Sequence, residues 1–206
     1  MVSFTAREVR DILISMLVIA VIFAYLISKS SADFMNNFIA LIPALLIAVG
    51  LGFVLHELAH KFVAVRYGFY AEFRMWVEGL IFALVTAFLL NFVFVAPGAV
   101  YIHGEHITRE QNGKISISGP LVNIVLALFF LSLTPFVTHN PTDIWGFEFA
   151  NIVLYGFIIN SILAAFNLIP LGIFDGAKVL KWNPILWGIT FIAAIILAVK
   201  AYFGIY

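Results

Sequence analysis

The sequence predicts an all-α polytopic membrane protein, with five or six transmembrane helices and a small membrane-associated β-sheet or hairpin. Three observations predict it. Of 206 residues 64% are hydrophobic, mean hydropathy is +1.10, and only 11% are charged. A soluble domain of this size has more polar surface to offer water. The apolar residues also fall into runs near the about 20 residues that a spanning helix needs: 12–28, 36–65, 79–96, 119–138, 148–170 and 184–203. Finally, two short stretches carry strand patterns, which are unusual beside membrane helices.

The first run, 12–28, is long enough to span and lacks a small-residue cleavage site, so it reads as a permanent helix. After the 36–65 run comes YAEFRMWV, residues 70–77. It alternates Ala71, Phe73, Met75 and Val77 on one face with Tyr70, Glu72, Arg74 and Trp76 on the other, the period of a strand. ITREQNGKISIS, residues 107–118, places Asn112-Gly113 between β-prone arms, a hairpin signal. The 79–96 run is ambiguous. With a cytoplasmic N-terminus and a crossing at 79–96, Lys and Arg divide 6 inside to 5 outside. If 79–96 does not cross, they divide 9 to 2. The positive-inside rule favours the second arrangement and five crossings. The segment is then re-entrant or interfacial, shielded by neighbouring protein. One domain over 1–206 is expected, its core at about 36–176 flanked by helices 12–28 and 184–203.

Net charge is zero, so electrostatic nucleic-acid binding has no support. The chain has no cysteine, which removes disulfides, thiolate catalysis and cysteine-ligated metals. Any metal site must use His, Asp or Glu. HELAH offers His56 and His60 at i and i+4, one turn apart on one helix face. Two imidazoles so placed reach one Zn²⁺ at about 2.0–2.1 Å. Glu57, beside them, is placed to take a proton from an attacking water and hand it to a leaving amine. An ionisable side chain inside a spanning segment costs about 2.5–3.5 kcal/mol and marks a functional site by default.

Two histidines leave tetrahedral zinc short of a protein ligand. Asp11, Glu78, Asp143, Glu148 and Asp175 are the acids within or beside apolar runs. With five crossings the ends of 36–65 and 148–170 share the cytoplasmic side, and His56, His60 and Asp175 can meet. Asp143 and Glu148 then lie opposite. With six crossings Asp175 is on the wrong side. The charge distribution and the metal geometry agree independently. Pro170 and Gly172 break the helix just before Asp175, and a broken helix at membrane depth is tolerated where it lines a site.

These residues resemble the site-2 protease family of intramembrane zinc metalloproteases. HELAH matches its H-E-x-x-H helix. SGPLVNIVLAL is similar to its Gly-Pro-x-x-Asn helix, through Gly119, Pro120 and Asn123. FNLIPLGIFDGAKVLKWNP is similar to its Asn-Leu-x-Pro…Asp-Gly segment, through Asn167, Pro170, Asp175 and Gly176. Phe174 stands where Leu commonly precedes Asp-Gly. The resemblance implies a core of three helices, one zinc ion on His56, His60 and Asp175, and Glu57 as general base. It implies that Asn123 and Asn167 support substrate or the oxyanion. It implies cleavage of transmembrane segments of other proteins within the bilayer, with no room here for the PDZ or CBS domains of some relatives.

The expected protein is a multi-pass cell-membrane enzyme, with N-terminus and active-site end cytoplasmic. Its partners are the bilayer and a transmembrane protein substrate. A metal-binding transporter and an inactive protease-like adaptor are the rivals. Glu57 argues against both, since neither an ion path nor an adaptor needs a proton carrier beside the ligand pair. An extended substrate needs a strand edge, which 70–77 or the expected hairpin offers. Lone His103, His106 and His139 read as solvated loop side chains.

Overall fold

A computed structural model describes residues 2–91, 97–104, 106–137 and 144–204 of the chain. Among them five helices are long and apolar enough to cross a membrane. The first is α1, Ala6–Ser28. The second, Phe34–Arg66, is one rod made of α2 (Phe34–Val49), a π turn (Gly50–Val54) and α3 (Leu55–Arg66). Strand β1 (Tyr70–Met75), helix α4 (Val77–Leu90) and strand β2 (Gly98–His103) follow. Then come α5 (Arg109–Leu133), α6 (Ile144–Asn167), the short α7 (Asp175–Trp182) and α8 (Pro184–Tyr202).

Two apolar clusters hold the bundle together. Ile12, Ile19, Ala20 and Ala24 of α1 meet Leu41, Leu45 and Val49 of α2, with Phe53, Phe73 and Ile159. Ile124, Ala127 and Phe130 of α5 meet Phe157 and Ala164 of α6 and Ala194 and Leu197 of α8. Alanines at these contacts let helices approach closely, the usual device where lipid supplies no hydrophobic drive. Leu89, Leu90, Ile185 and Ile189 are large and exposed, as a lipid-facing surface requires.

The sheet is two-stranded and antiparallel, with Tyr70 opposite His103 and Met75 opposite Gly98. That register decides what α4 does. The chain leaves the sheet at Met75 and rejoins it at Gly98, directly opposite. Between them α4 has 14 residues, about 21 Å at 1.5 Å per residue, short of the about 30 Å hydrocarbon core. It runs up along α1, where Ala83 and Ala87 pack on Ile22 and Phe88 meets Tyr25 at 4.2 Å between ring centroids. Helix α4 therefore lies between two strand ends that pair with one another. The expected 79–96 element is α4, and its last five residues lie outside the described ones.

The hairpin expected at Asn112-Gly113 does not form. Those residues sit in the first turns of α5. Thr108 accepts from the Gln111 N–H at 3.2 Å, and the Gln111 side chain accepts from the Thr108 N–H at 3.0 Å. This capping box starts a helix ten residues before the apolar run, and helix capping outranks the local Asn-Gly preference. Likewise α1 begins at Ala6 rather than residue 12, with Thr5 accepting from Glu8 N–H. Hydropathy reports the bilayer thickness, and both helices extend beyond it in polar turns.

Those polar turns anchor the sheet. Lys61 of α3 pairs with Glu8 at 2.5 Å and donates to Ser3 O at 2.6 Å, both side chains being buried. The other Glu8 oxygen accepts from Phe73 N–H at 3.0 Å, and Asp11 accepts from Met75 N–H at 3.4 Å. Thr5, Tyr70 and Arg74 all donate to Glu72, whose carboxyl is held below its usual range first by the Thr5 hydroxyl. The outer edge of β1 is thus closed by α1 carboxylates.

Candidate metal centre

His56 and His60 stand one turn apart on α3, both buried, with rings edge to face at 4.7 Å between centroids. The π turn immediately precedes them and resets which residues face the bundle interior, a common feature near functional positions. Each histidine is held from behind through Nδ1. His60 Nδ1 lies 2.8 Å from Ile115 O, and His56 Nδ1 lies 2.5 Å from Asn123 Oδ1. Both partners are acceptors, so in the neutral rings Nδ1 carries the hydrogen and Nε2 presents its lone pair.

The two Nε2 atoms lie 3.0 Å apart. Asp175 Oδ2 lies 3.0 Å from His60 Nε2 and 3.5 Å from His56 Nε2. Three acceptor atoms thus converge with no proton assigned among them. A tetrahedral ion with bonds of about 2.0–2.1 Å separates its ligand atoms by about 3.3 Å, and the observed spacings bracket that value. Among the described residues this is the group whose ligand atoms could together hold a metal ion. The donor set, two imidazoles and a carboxylate, suits zinc.

Tertiary contacts bring Asp175 there. Helix α6 ends at Asn167, and the chain turns through Pro170 before α7 begins at Asp175 itself. Trp187 of α8 donates to Leu168 O at 2.9 Å and pins the turn. Gly176 packs so tightly that an added Cβ would lie 2.1 Å from Leu168 O. Burial pushes the Asp175 carboxyl up, but His60, His56 and Lys178 outweigh it and hold it well below the usual carboxylate range. Lys178 stands 3.5 Å from Asp175 Oδ1 and lines the same cavity. Sequence reasoning missed Lys178, although its i+3 spacing from Asp175 was readable.

Gly119 of α5 closes the far wall. A Cβ there would lie 2.5 Å from His60 Nε2 and 2.6 Å from His56 Nε2. The missing side chain leaves the room that the ligand atoms and an ion need.

Two hollows that share lining residues border this group. The smaller, about 110 Å³, is lined by His56, Glu57, His60, Asp175, Lys178 and Asn167, with Gly98, Val100 and Ile102 of β2 along one wall. The larger, about 300 Å³, is mostly apolar and runs from Glu57 past Phe53, Trp76, Leu163 and Phe174 to Ile19 of α1. Glu57 lines both, as does Asn167, whose amide donates to Leu163 O at 3.0 Å.

Asn123 lies elsewhere than expected. It is fully buried behind His56, its oxygen toward His56 and its nitrogen donating to Gly52 O and Asn160 Oδ1. It lines neither hollow. Of the other acids, Asp11 is engaged by Arg10 and β1, Glu78 is exposed on α4, and Glu148 sits at the opposite end of α6 from Asn167. His103 packs on Tyr70, and His106 is exposed with φ 66°. Asp143 and His139 lie outside the described residues.

Fold and site together define a polytopic membrane protein in which a His-Glu-x-x-His helix and a distant aspartate form a group that could hold a metal ion. Comparisons narrow the class. "Putative zinc metalloprotease MJ0611" of Methanocaldococcus jannaschii is 44% identical over 188 residues, covering 91% of this chain and 90% of that protein. "Putative zinc metalloprotease sll0528" of Synechocystis sp. is 36% identical over 74% of this chain and 33% of its own length. "Zinc metalloprotease MJ0392" of M. jannaschii is 28% identical over 76% of this chain and 39% of its own length. No protein-family model and no solved structure matches the chain. The chain belongs to this zinc metalloprotease family.

Proposed function

We propose that the chain is an intramembrane zinc metalloprotease of the site-2 protease type, which hydrolyses peptide bonds in transmembrane segments of other proteins. One observation carries the reading: His56, His60 and Asp175 converge, with Glu57 lining the same hollow, in a chain built of membrane-length helices. His56, His60 and Asp175 hold the zinc. When bound, zinc supplies Lewis acidity toward water and the peptide carbonyl. The Glu57 carboxylate takes the proton of the attacking water and returns it to the leaving amine nitrogen. Asn167, at the junction of both hollows, offers its amide to the substrate backbone.

A peptide bond can be attacked only after its helix unwinds, since helical amides are internally bonded. The free edge of β2 supports that step. Phe73 and Met75 turn their N–H groups to α1, away from β2. By antiparallel alternation Val100 and Gly98, opposite them, turn theirs away from β1. Gly98, Val100 and Ile102 line the metal-site hollow, so an extended segment pairing with β2 passes over Glu57.

The larger hollow takes an apolar side chain next to the scissile bond. An engineered apolar cavity of about 150 Å³ binds benzene, and this one is about 300 Å³. Ala99 of β2 is exposed and borders it. Ala99→Phe is expected to shift preference from Leu or Phe toward Ala or Gly at one substrate position. Cleavage of a series of single-span substrates, varied at that position, checks this. An unchanged preference would remove the hollow from substrate selection.

The N-terminus and the metal-site end lie in the cytoplasm. Impermeant thiol labelling of intact cells, in a chain with no native cysteine, is expected to reach Ala32→Cys and to miss Glu110→Cys. The reverse pattern would invert the orientation, and labelling of both would make α4 a crossing. The function itself is tested by elemental analysis for zinc on the purified protein, run beside cleavage of a panel of single-span substrates. A zinc-free, inactive preparation would overturn it.

A further inference from the structure

Asn160 of α6 is fully buried, borders neither hollow and touches no proposed ligand, yet it stands at the head of a hydrogen-bond chain that ends on His56. Its Nδ2 donates to Gly156 O at 2.8 Å. Its Oδ1 accepts from Asn123 Nδ2 at 2.9 Å, and Asn123 Oδ1 meets His56 Nδ1 at 2.5 Å. Asn123 Nδ2 also donates to Gly52 O in the π turn at 3.0 Å. We propose that Asn160 is a positioning residue of the metal centre: it fixes which way the Asn123 amide faces, and thereby which nitrogen of His56 is left free for the metal. This rests on the zinc reading of the site.

The polarity of the chain is set at its far end. A backbone carbonyl only accepts. Gly156 O therefore takes the Asn160 amide hydrogen and leaves Asn160 Oδ1 facing Asn123. That oxygen and Gly52 O demand donors, so Asn123 must present Nδ2 to both. Only Asn123 Oδ1 remains for His56, which answers with Nδ1–H and keeps Nε2 as a lone pair. A flipped Asn123 would set its oxygen against two acceptors and offer N–H to His56 Nδ1, moving the ring hydrogen to Nε2. His60 needs no such relay, because Ile115 O contacts its Nδ1 directly. Gly52 is part of the device: a Cβ there would lie 2.9 Å from Asn160 Oδ1.

The test compares Asn160→Leu with Asn160→Asp in the full chain in detergent. Leucine removes the acceptor. A buried, protonated aspartic acid keeps an acceptor for Asn123 and an O–H for Gly156 O. Zinc affinity, from competition with a chelator, is expected to fall about ten- to a hundredfold in Asn160→Leu, the scale for a lost ligand-orienting partner, and to stay near wild type in Asn160→Asp. The ¹⁵N signals of His56, recorded metal-free, are expected to show one tautomer in wild type and a mixture in Asn160→Leu. If leucine is not accommodated, Asn160→Ala removes the same acceptor without bulk and is read identically. Wild-type affinity in a folded acceptor-less variant, or equal losses in the Asp and Leu variants, would overturn the proposal. A wild-type chain that binds no zinc fails the metal reading, and the metal-free ¹⁵N spectrum still decides the relay.

Discussion

Glu57→Gln is expected to keep its full complement of zinc and to lose cleavage by about 10²–10⁴-fold or more, the range for a lost general acid–base group. The three proposed ligand atoms belong to His56, His60 and Asp175, and none is altered. Glutamine has nearly the shape of glutamate and suits the same position between the two hollows. What it lacks is a basic oxygen for the water proton. Zinc by elemental analysis and turnover of a single-span substrate, on the same preparation, check both halves. Near-normal turnover would refute the role of Glu57, and loss of zinc would make Glu57 part of the metal site instead.

Loss of the metal itself is the second large effect, reachable by two unrelated substitutions. Asp175→Ala removes one of the three proposed protein ligands and is expected to leave the purified protein with little zinc. His56→Ala and His60→Ala are expected to behave alike. Gly119→Ala removes no ligand, yet its Cβ would stand 2.5 Å and 2.6 Å from the two Nε2 atoms. Cβ atoms do not approach that closely, so α5 or the histidines must move. It too is expected to lose zinc, while circular dichroism stays helical. Full zinc occupancy in Asp175→Ala would remove it from the ligand set. Full occupancy in Gly119→Ala would show that α5 stands further from the histidines than described.

How much was legible depended on the kind of signal. The spanning helices were read nearly in register, since apolar length is written locally. Their polar extensions at Ala6 and Arg109 were not, because a hydropathy run stops where the bilayer does. Strand 70–77 was read from its alternation, but its partner was not. Asn112-Gly113 carries the local hairpin signal, while β1 pairs with Gly98–His103, on the far side of α4 in sequence. No local pattern links two strands separated by a helix. The roles of Glu8 and Asp11 were equally hidden, because a carboxylate that caps a strand edge sixty residues away looks like any acid near a helix start.

By itself the sequence determined that this is a helical membrane protein carrying His56, Glu57 and His60 on one helix face, since hydropathy and i, i+4 spacing are properties of a continuous segment. Its charge asymmetry put Asp175 on the side of His56 and His60 and set Asp143 and Glu148 opposite, while the motif resemblance singled out Asp175 among the acids that remained. Only the tertiary structure decided that Asn123 stands against His56 Nδ1. The same asparagine can face a cavity or a ring nitrogen, and the choice belongs to Gly52 O and Asn160, which approach from two other helices. It alone also decided that, among the described residues, β2 presents the edge without a strand partner, because an edge is free only once every other strand and carboxylate has taken its place.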